Sequence, residues 1–198
     1  TLWHTLSLHD ALPICLRAGF TLVEMAAVAT IVSSLPSASY TQAKRRASTA
    51  ECKNQLRQIG QLMMMHKMES GAYPKAAFYP DKVDGPDSIR TILGGPEKLW
   101  VCPAMPDKLQ KKGLTFIYHD ELGGKRRVKN PARKWVLIEM TCVSKDIPTP
   151  HPKGYNVLFA DGHIVTTKVL PRSITEAQRA EIHRIQDELH REMYADAD

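Results

Sequence analysis

Three sets of residues in this 198-residue chain could do chemistry. Glu24 is the single charge in the run Phe20 to Leu35. A carboxylate inside hydrocarbon costs on the order of 3 kcal/mol, so it calls for a partner of opposite charge. Cys52, Cys102 and Cys142 are thiols far apart in sequence, with no C-x-x-C and no zinc-ligand spacing. His151 and the Asp161-Gly162 pair offer an imidazole and a carboxylate with nine residues between them. An extended run from Tyr155 to Ala160, at about 3.3 Å per residue, separates its ends by roughly 17 Å, which disfavours a direct His151–Asp161 dyad. Asp161 then shapes a turn, and His151 orders the loop entering the strand. No H-E-x-x-H, G-x-S-x-G, Walker or G-x-G-x-x-G pattern occurs, so no catalytic residue and no metal ligand is assigned and the chain does not read as an enzyme.

The elements that must position these groups are readable from periodicity. Phe20 to Leu35 is apolar enough for a helix but, at 16 residues or roughly 24 Å, is a short membrane span. After Pro36, Cys52, Leu56, Ile59 and Met63 recur at spacings of four, three and four, which predicts one apolar helix face clasping a sheet. Gly71, followed by Pro74, ends that helix. Residues 75–113, rich in Pro, Gly and Asp, read as a variable loop region with short elements. Strands are expected at Thr115 to Tyr118, Trp135 to Glu139, Tyr155 to Ala160 and His163 to Val169. Asp161-Gly162 is expected to form a two-residue type I′ hairpin turn, and Val157 and Phe159 to alternate with Asn156, Leu158 and Ala160 across the sheet. Ser173 with Glu176 forms a capping box for a last helix. Its stripe is Ile182, Ile185, Leu189 and Met193, with i, i+4 pairs Arg184–Glu188 and Asp187–Arg191 and solvent-facing His183 and His190.

Cys102 lies in the short apolar piece Leu99 to Pro103, which can dock on the helix carrying Cys52. A Cys52–Cys102 disulfide with one leftover thiol is therefore favoured over the other two pairings. Three buried reduced thiols are the alternative. Methionines 63 to 65 point in different directions on a helix and read as core and flank rather than as a copper site.

The segment Gly19-Phe20-Thr21-Leu22-Val23-Glu24 with its apolar continuation resembles the N-terminus of type IV prepilins and type II secretion pseudopilins. The resemblance implies cleavage after Gly19, methylation of Phe20, and pairing of Glu24 with the Phe20 amine of a neighbouring subunit. Further matches are Cys52-x-Asn54-Gln55-Leu56-x-Gln58-Ile59-Gly60, Gly71-Ala72-Tyr73-Pro74, Cys102-Pro103, and His151 followed after nine residues by Asp161-Gly162. The last is similar to the H-x9-DG signature of a prepilin-like subgroup. The implied fold is α+β and pilin-like, with a long N-terminal helix on a small antiparallel sheet plus a C-terminal helix. Residues 1–14 include Thr5 to Ile14, which resembles a translated sequencing adapter and is set aside. Residues 15–19 are then leader, 20–40 the membrane and assembly helix, 41–71 its soluble half, 72–170 a globular head and 171–198 the C-terminal helix.

The implied function is a structural subunit of a pseudopilus for type II protein secretion. Its partners would be other pilus subunits, a prepilin peptidase, assembly proteins and the bacterial inner membrane, with the head in the periplasm. No cofactor is expected beyond calcium, which related pseudopilins hold with oxygens. Asp161, Asp120, Glu121 or Glu139 would supply them here, although no D-x-D-x-D-G loop exists. The net charge of +6 and the basic groups Lys44 to Arg46, Lys111-Lys112, Lys125 to Arg127 with Lys129, and Arg133-Lys134 leave a DNA-binding minor pilin as one alternative. No aromatic-interleaved stripe accompanies them. The other alternative is a membrane-anchored periplasmic enzyme with a metal among His119, Asp120, His151 and His163. By the positive-inside rule Lys44 to Arg46 pulls against the family's topology, which is retained on the strength of a basic leader.

Overall fold

The computed structural model describes residues 23, 37–144, 146–171, 174 and 179–194. Gly19, Phe20, Glu24, the rest of the apolar run to Leu35 except Val23, and the expected cap at Ser173 and Glu176 lie outside the described residues. The chain divides into two units, Thr1–Thr41 and Gln42–Asp198, and the fold that follows is that of the second.

Helix α1 (Ser37–Ser70) runs 34 residues. Cys52, Leu56, Ile59 and Met63 are all buried along it, as their spacing predicts. Residues 42–47, by contrast, are exposed around the whole helix. Gly71 stops it at a φ of 78°, its N–H donating to the carbonyl of Lys67.

Four strands follow in an antiparallel meander: β1 (Phe116–Tyr118), β2 (Trp135–Glu139), β3 (Tyr155–Phe159) and β4 (Ile164–Thr167), in that spatial order. Each lies within one or two residues of its expected position. Phe116 pairs with Glu139, Tyr118 and Leu158 each pair with Leu137, and an irregularity falls between Trp135 and Leu137. By alternation Phe116, Tyr118, Leu137, Glu139, Asn156 and Leu158 share one face. That face meets α1, where a Cβ on Gly60 would sit 3.5 Å from the Leu158 side chain.

The expected alternation along β3 holds, with Asn156 and Leu158 on the face toward α1; Tyr155 through Leu158 are all buried, and edge strand β4 is half-exposed. One expectation is corrected: the hairpin after β3 is not a two-residue type I′ turn. Beyond the Leu158–Ile164 pair the Phe159 N–H donates to the His163 carbonyl, leaving a three-residue loop, Ala160 to Gly162, closed by the Gly162 N–H on the Phe159 carbonyl. Only Gly162, at φ 90°, needs the left-handed region, which fits a turn followed by a glycine bulge.

The 75–113 region carries the short helices α2 (Ile89–Leu93) and α3 (Asp107–Gln110), with a 3-10 turn at Glu97–Trp100 between them. Trp100 is fully buried and its indole N–H donates to the Gly94 carbonyl at 3.0 Å. Helix α4 (Arg179–Tyr194) packs on α3 and the 3-10 turn Met140–Val143 through buried Ile185 and Leu189. Its charges reach into the domain: Arg184 lies 2.7 Å from Asp81 and donates to the Tyr79 carbonyl, while Lys112 pairs with Glu188 and Glu192. Lys112 is therefore not part of a free basic face, whereas Lys125 to Arg127, Lys129 and Arg133 are exposed. His183 and His190 face solvent as expected. Among the described residues no helix is long and apolar enough to cross a membrane.

Candidate functional site

Where α1 crosses the sheet, four titratable side chains from four different segments meet in the core. Cys52 comes from α1, held there by the same stripe that buries Leu56. Cys102 comes from the apolar segment docked on α1 as the sequence led us to expect; Gln55 Nε2 fixes that segment by donating to the Lys98 and Val101 carbonyls at 2.9 and 3.0 Å. The Cys102 N–H donates to Thr115 Oγ1 at 2.7 Å, which joins the segment to the start of β1. Glu139 ends β2, and His151 opens the loop into β3, where it bridges to Gly154. Cys52, Cys102 and Glu139 have no exposed surface, and His151 has 1%.

Glu139 is the hub. Its Oε1 lies 2.6 Å from His151 Nε2, 3.0 Å from Cys52 Sγ, 3.3 Å from Asn156 Nδ2 and 3.7 Å from Cys102 Sγ. Its Oε2 accepts the Asn156 backbone N–H at 2.9 Å. Asn156 is itself held by Thr166 Oγ1, which donates to its Oδ1 at 2.7 Å. On the far side of the ring, His151 Nδ1 is 3.0 Å from Thr49 Oγ1. The Thr49 hydroxyl has one proton and donates it to the Arg45 carbonyl at 2.8 Å, so it accepts from His151. This network assigns one ring proton to Nδ1, and Nε2, turned inward at 2.6 Å from Glu139 Oε1, donates a second to that carboxylate.

Electrostatics sort the groups. Interaction with Cys52 draws the Cys102 thiol below its ordinary value against the opposing effect of burial, with His151 adding to the fall. Interaction with Cys102 and then burial hold the Cys52 thiol far above its own. The pair therefore releases one proton readily and resists losing the second. Burial alone would lower His151, but hydrogen bonds with Cys102 and Glu139 outweigh it and raise the imidazole. Cys142, also buried, is raised chiefly by desolvation and stands outside the cluster.

The expected Cys52–Cys102 pair is thus brought together, with the two sulfurs within 4.8 Å, but as free thiols rather than as a disulfide. Both sulfurs also approach Glu139 Oε1, at 3.0 and 3.7 Å. His151 and Asp161 are kept apart, as the strand length required. Asp161 sits at the hairpin tip, where its Oδ1 accepts the His163 N–H at 3.1 Å.

The alternative metal set of His119, Asp120, His151 and His163 is not assembled. Among the described residues, Cys52, Cys102, Glu139 and His151 are the only group of three or more such ligands. The calcium oxygens are dispersed too: Glu139 is in this cluster, Glu121 lies 3.6 Å from Lys134, and Asp161 is on the hairpin. Glu139 as the organising residue is what sequence reasoning missed. The available signal was a carboxylate ending the five-residue apolar strand Trp-Val-Leu-Ile-Glu.

His119 has a different role. Its ring packs tilted, at 32°, against Trp135 with centroids 4.5 Å apart, and both ring nitrogens are buried without a hydrogen-bond partner. Burial is the main cause that lowers it to about 4. Unfolded, it titrates near 6.5. Between these values the unfolded chain takes up a proton that the folded one refuses. Stability from this residue is then complete above about pH 6.5 and is lost as pH falls toward about 4. We expect His119→Phe to remove roughly 2 kcal/mol of the stability loss between pH 7 and pH 5. Urea unfolding at the two pH values checks this, and equal losses in variant and wild type would contradict it.

Comparison of the chain with protein-family models, curated proteins and solved structures finds no match.

Proposed function

We propose that this protein is a prepilin-like structural subunit, processed after Gly19 and assembled into a pseudopilus that serves type II protein secretion. The observation that carries this reading is the division of labour along α1. Its Cys52-to-Met63 stripe is covered by the sheet, while residues 42–47 are bare on every side. A polar-all-round helical stretch gains nothing from its own domain, and helices in water owe most of their stability to a packed face. Such a stretch makes sense as an arm that joins an anchored head to the apolar run Phe20 to Leu35. The α+β head, with the long helix on an antiparallel sheet, is consistent with a pilin-like subunit.

In this reading the apolar ends bundle in the membrane and filament core. Glu24 is neutralised there by the Phe20 amine of a neighbour, so the carboxylate that would be costly alone specifies register between subunits. Small residues Ala26, Ala27, Ala29 and Ser33 suit close helix approach. The head stays in the periplasm.

The test compares wild type with Glu24→Ala, both co-expressed with a prepilin peptidase and the assembly machinery, by electron microscopy and immunoblotting of sheared fractions. Wild type is expected in filaments, and Glu24→Ala is expected to be cleaved but unassembled. Equal absence from the filament fraction would overturn the reading.

A further inference from the structure

We propose that Cys52 Sγ, Cys102 Sγ, Glu139 Oε1 and His151 Nε2 form a closed, structural zinc site. The inference concerns the head alone and holds whether or not the chain is processed after Gly19.

Donor chemistry selects the ion. Two sulfurs, one imidazole nitrogen and one carboxylate oxygen are a set that zinc takes, whereas calcium and magnesium require oxygens. Geometry agrees. Bonds of about 2.3 Å to sulfur and about 2.0–2.1 Å to nitrogen or oxygen place the ligand atoms of a tetrahedral centre roughly 3.3–3.8 Å apart. Here Cys102 Sγ is 3.6 Å from His151 Nε2 and 3.7 Å from Glu139 Oε1. Cys52 Sγ is 3.0 Å from Glu139 Oε1, and no pair among the four exceeds 4.8 Å. The 2.6 Å His151–Glu139 and 3.0 Å Cys52–Glu139 contacts must open by roughly 0.7 and 0.5 Å, as they do when a cation replaces the protons between them.

The surroundings match those of a metal centre in two further ways. Glu139 Oε1 is approached by four donor groups, two more than its lone pairs can serve, so the groups converge on a point rather than pairing off. The outward-facing atoms are also fixed: His151 Nδ1 donates to Thr49, and Glu139 Oε2 accepts from the Asn156 N–H. Such second contacts set the ring tautomer so that Nε2 offers its lone pair inward. Binding converts two thiols to thiolates and releases their protons, together with any proton on His151 Nε2. With all four residues buried there is no position for water or substrate, which marks the site as structural rather than catalytic. Its effect is to tie α1, the Cys102 segment, β2 and the loop before β3 to one atom.

The test uses the full chain in detergent, purified under reducing conditions, with zinc counted by native mass spectrometry. We expect one zinc per chain, retained by Cys142→Ser and lost by Cys52→Ser and Cys102→Ser. At a hundredfold excess of zinc over Kd, Tm is expected to rise by about 5–10 °C. Cobalt loaded into the wild type covers the case in which the variants fail to fold, through a thiolate-to-cobalt charge-transfer band and the intense visible bands of a tetrahedral centre. A chain that takes up neither metal, zinc retained in both ligand variants, cobalt bound without thiolate bands, or a Cys52–Cys102 disulfide in place of the metal would each overturn the proposal.

Discussion

Glu139→Ala is expected to cost the head about 3–5 kcal/mol, a large part of the roughly 5–15 kcal/mol that holds a typical domain together. The reason is not the loss of one contact. Glu139 is the carboxylate onto which His151, Cys52 and the Asn156 N–H converge, and it has no exposed surface. Removing it strands a buried imidazole and a buried backbone donor, each at its full desolvation cost. Glu139→Gln keeps the shape and one carbonyl oxygen, so its loss is expected to be smaller, on the order of 1–3 kcal/mol. Urea denaturation of the three proteins measures the difference. A Glu139→Ala midpoint within error of wild type would show that the cluster does not hold α1 to the sheet.

Gly154→Ala is expected to destabilise by a comparable amount, about 3–5 kcal/mol, for a steric reason. Gly154 sits at φ 117°, and a Cβ there would lie 2.3 Å from the Thr167 carbonyl oxygen and 2.8 Å from the Lys168 nitrogen. These are backbone atoms at the end of β4, so relief requires moving the strand. Left-handed strain adds to overpacking, at about 1–3 kcal/mol each. Because the Gly154 N–H donates to the His151 carbonyl, the displacement also reaches the cluster. Gly162 is the instructive contrast: at φ 90° it meets nothing within 4 Å, so Gly162→Ala carries the strain alone. Thermal unfolding of the two variants should rank Gly154→Ala clearly below Gly162→Ala, and the reverse order would contradict the packing argument.

The contrast shows what kind of information a single sequence exposes. The Cys52, Leu56, Ile59, Met63 stripe was legible because a helix buried on one side repeats its apolar residues at helical spacing. Gly71 was legible as a local stop, and the strands were legible as β-branched and aromatic runs between turn formers. The pairing of β3 with its neighbours was less so. With both faces covered, its alternation carries no inside–outside signal, and the hairpin turn was read as two residues where register required three. Cys102 was placed near Cys52 from the docking of one apolar piece, but the chemistry of their meeting was not. That depends on Glu139 and His151, which come from other segments and meet only through the sheet register. Gly154 gave no signal either, since the close approach of β4 exists only in three dimensions.

The buried cluster ties the Cys52-to-Met63 stretch of α1 to the sheet, and under the proposed function the exposed residues 42–47 are the assembly arm. The arm has a function only if the segment beyond it is matured. Mass analysis of the intact chain and its N-terminus tests this most directly, with the protein expressed behind a basic leader alongside a prepilin peptidase, and wild type compared with Gly19→Ala. The account predicts a wild-type chain beginning at methylated Phe20 and a Gly19→Ala chain left uncut; a wild-type chain left uncut beside an active peptidase would contradict it.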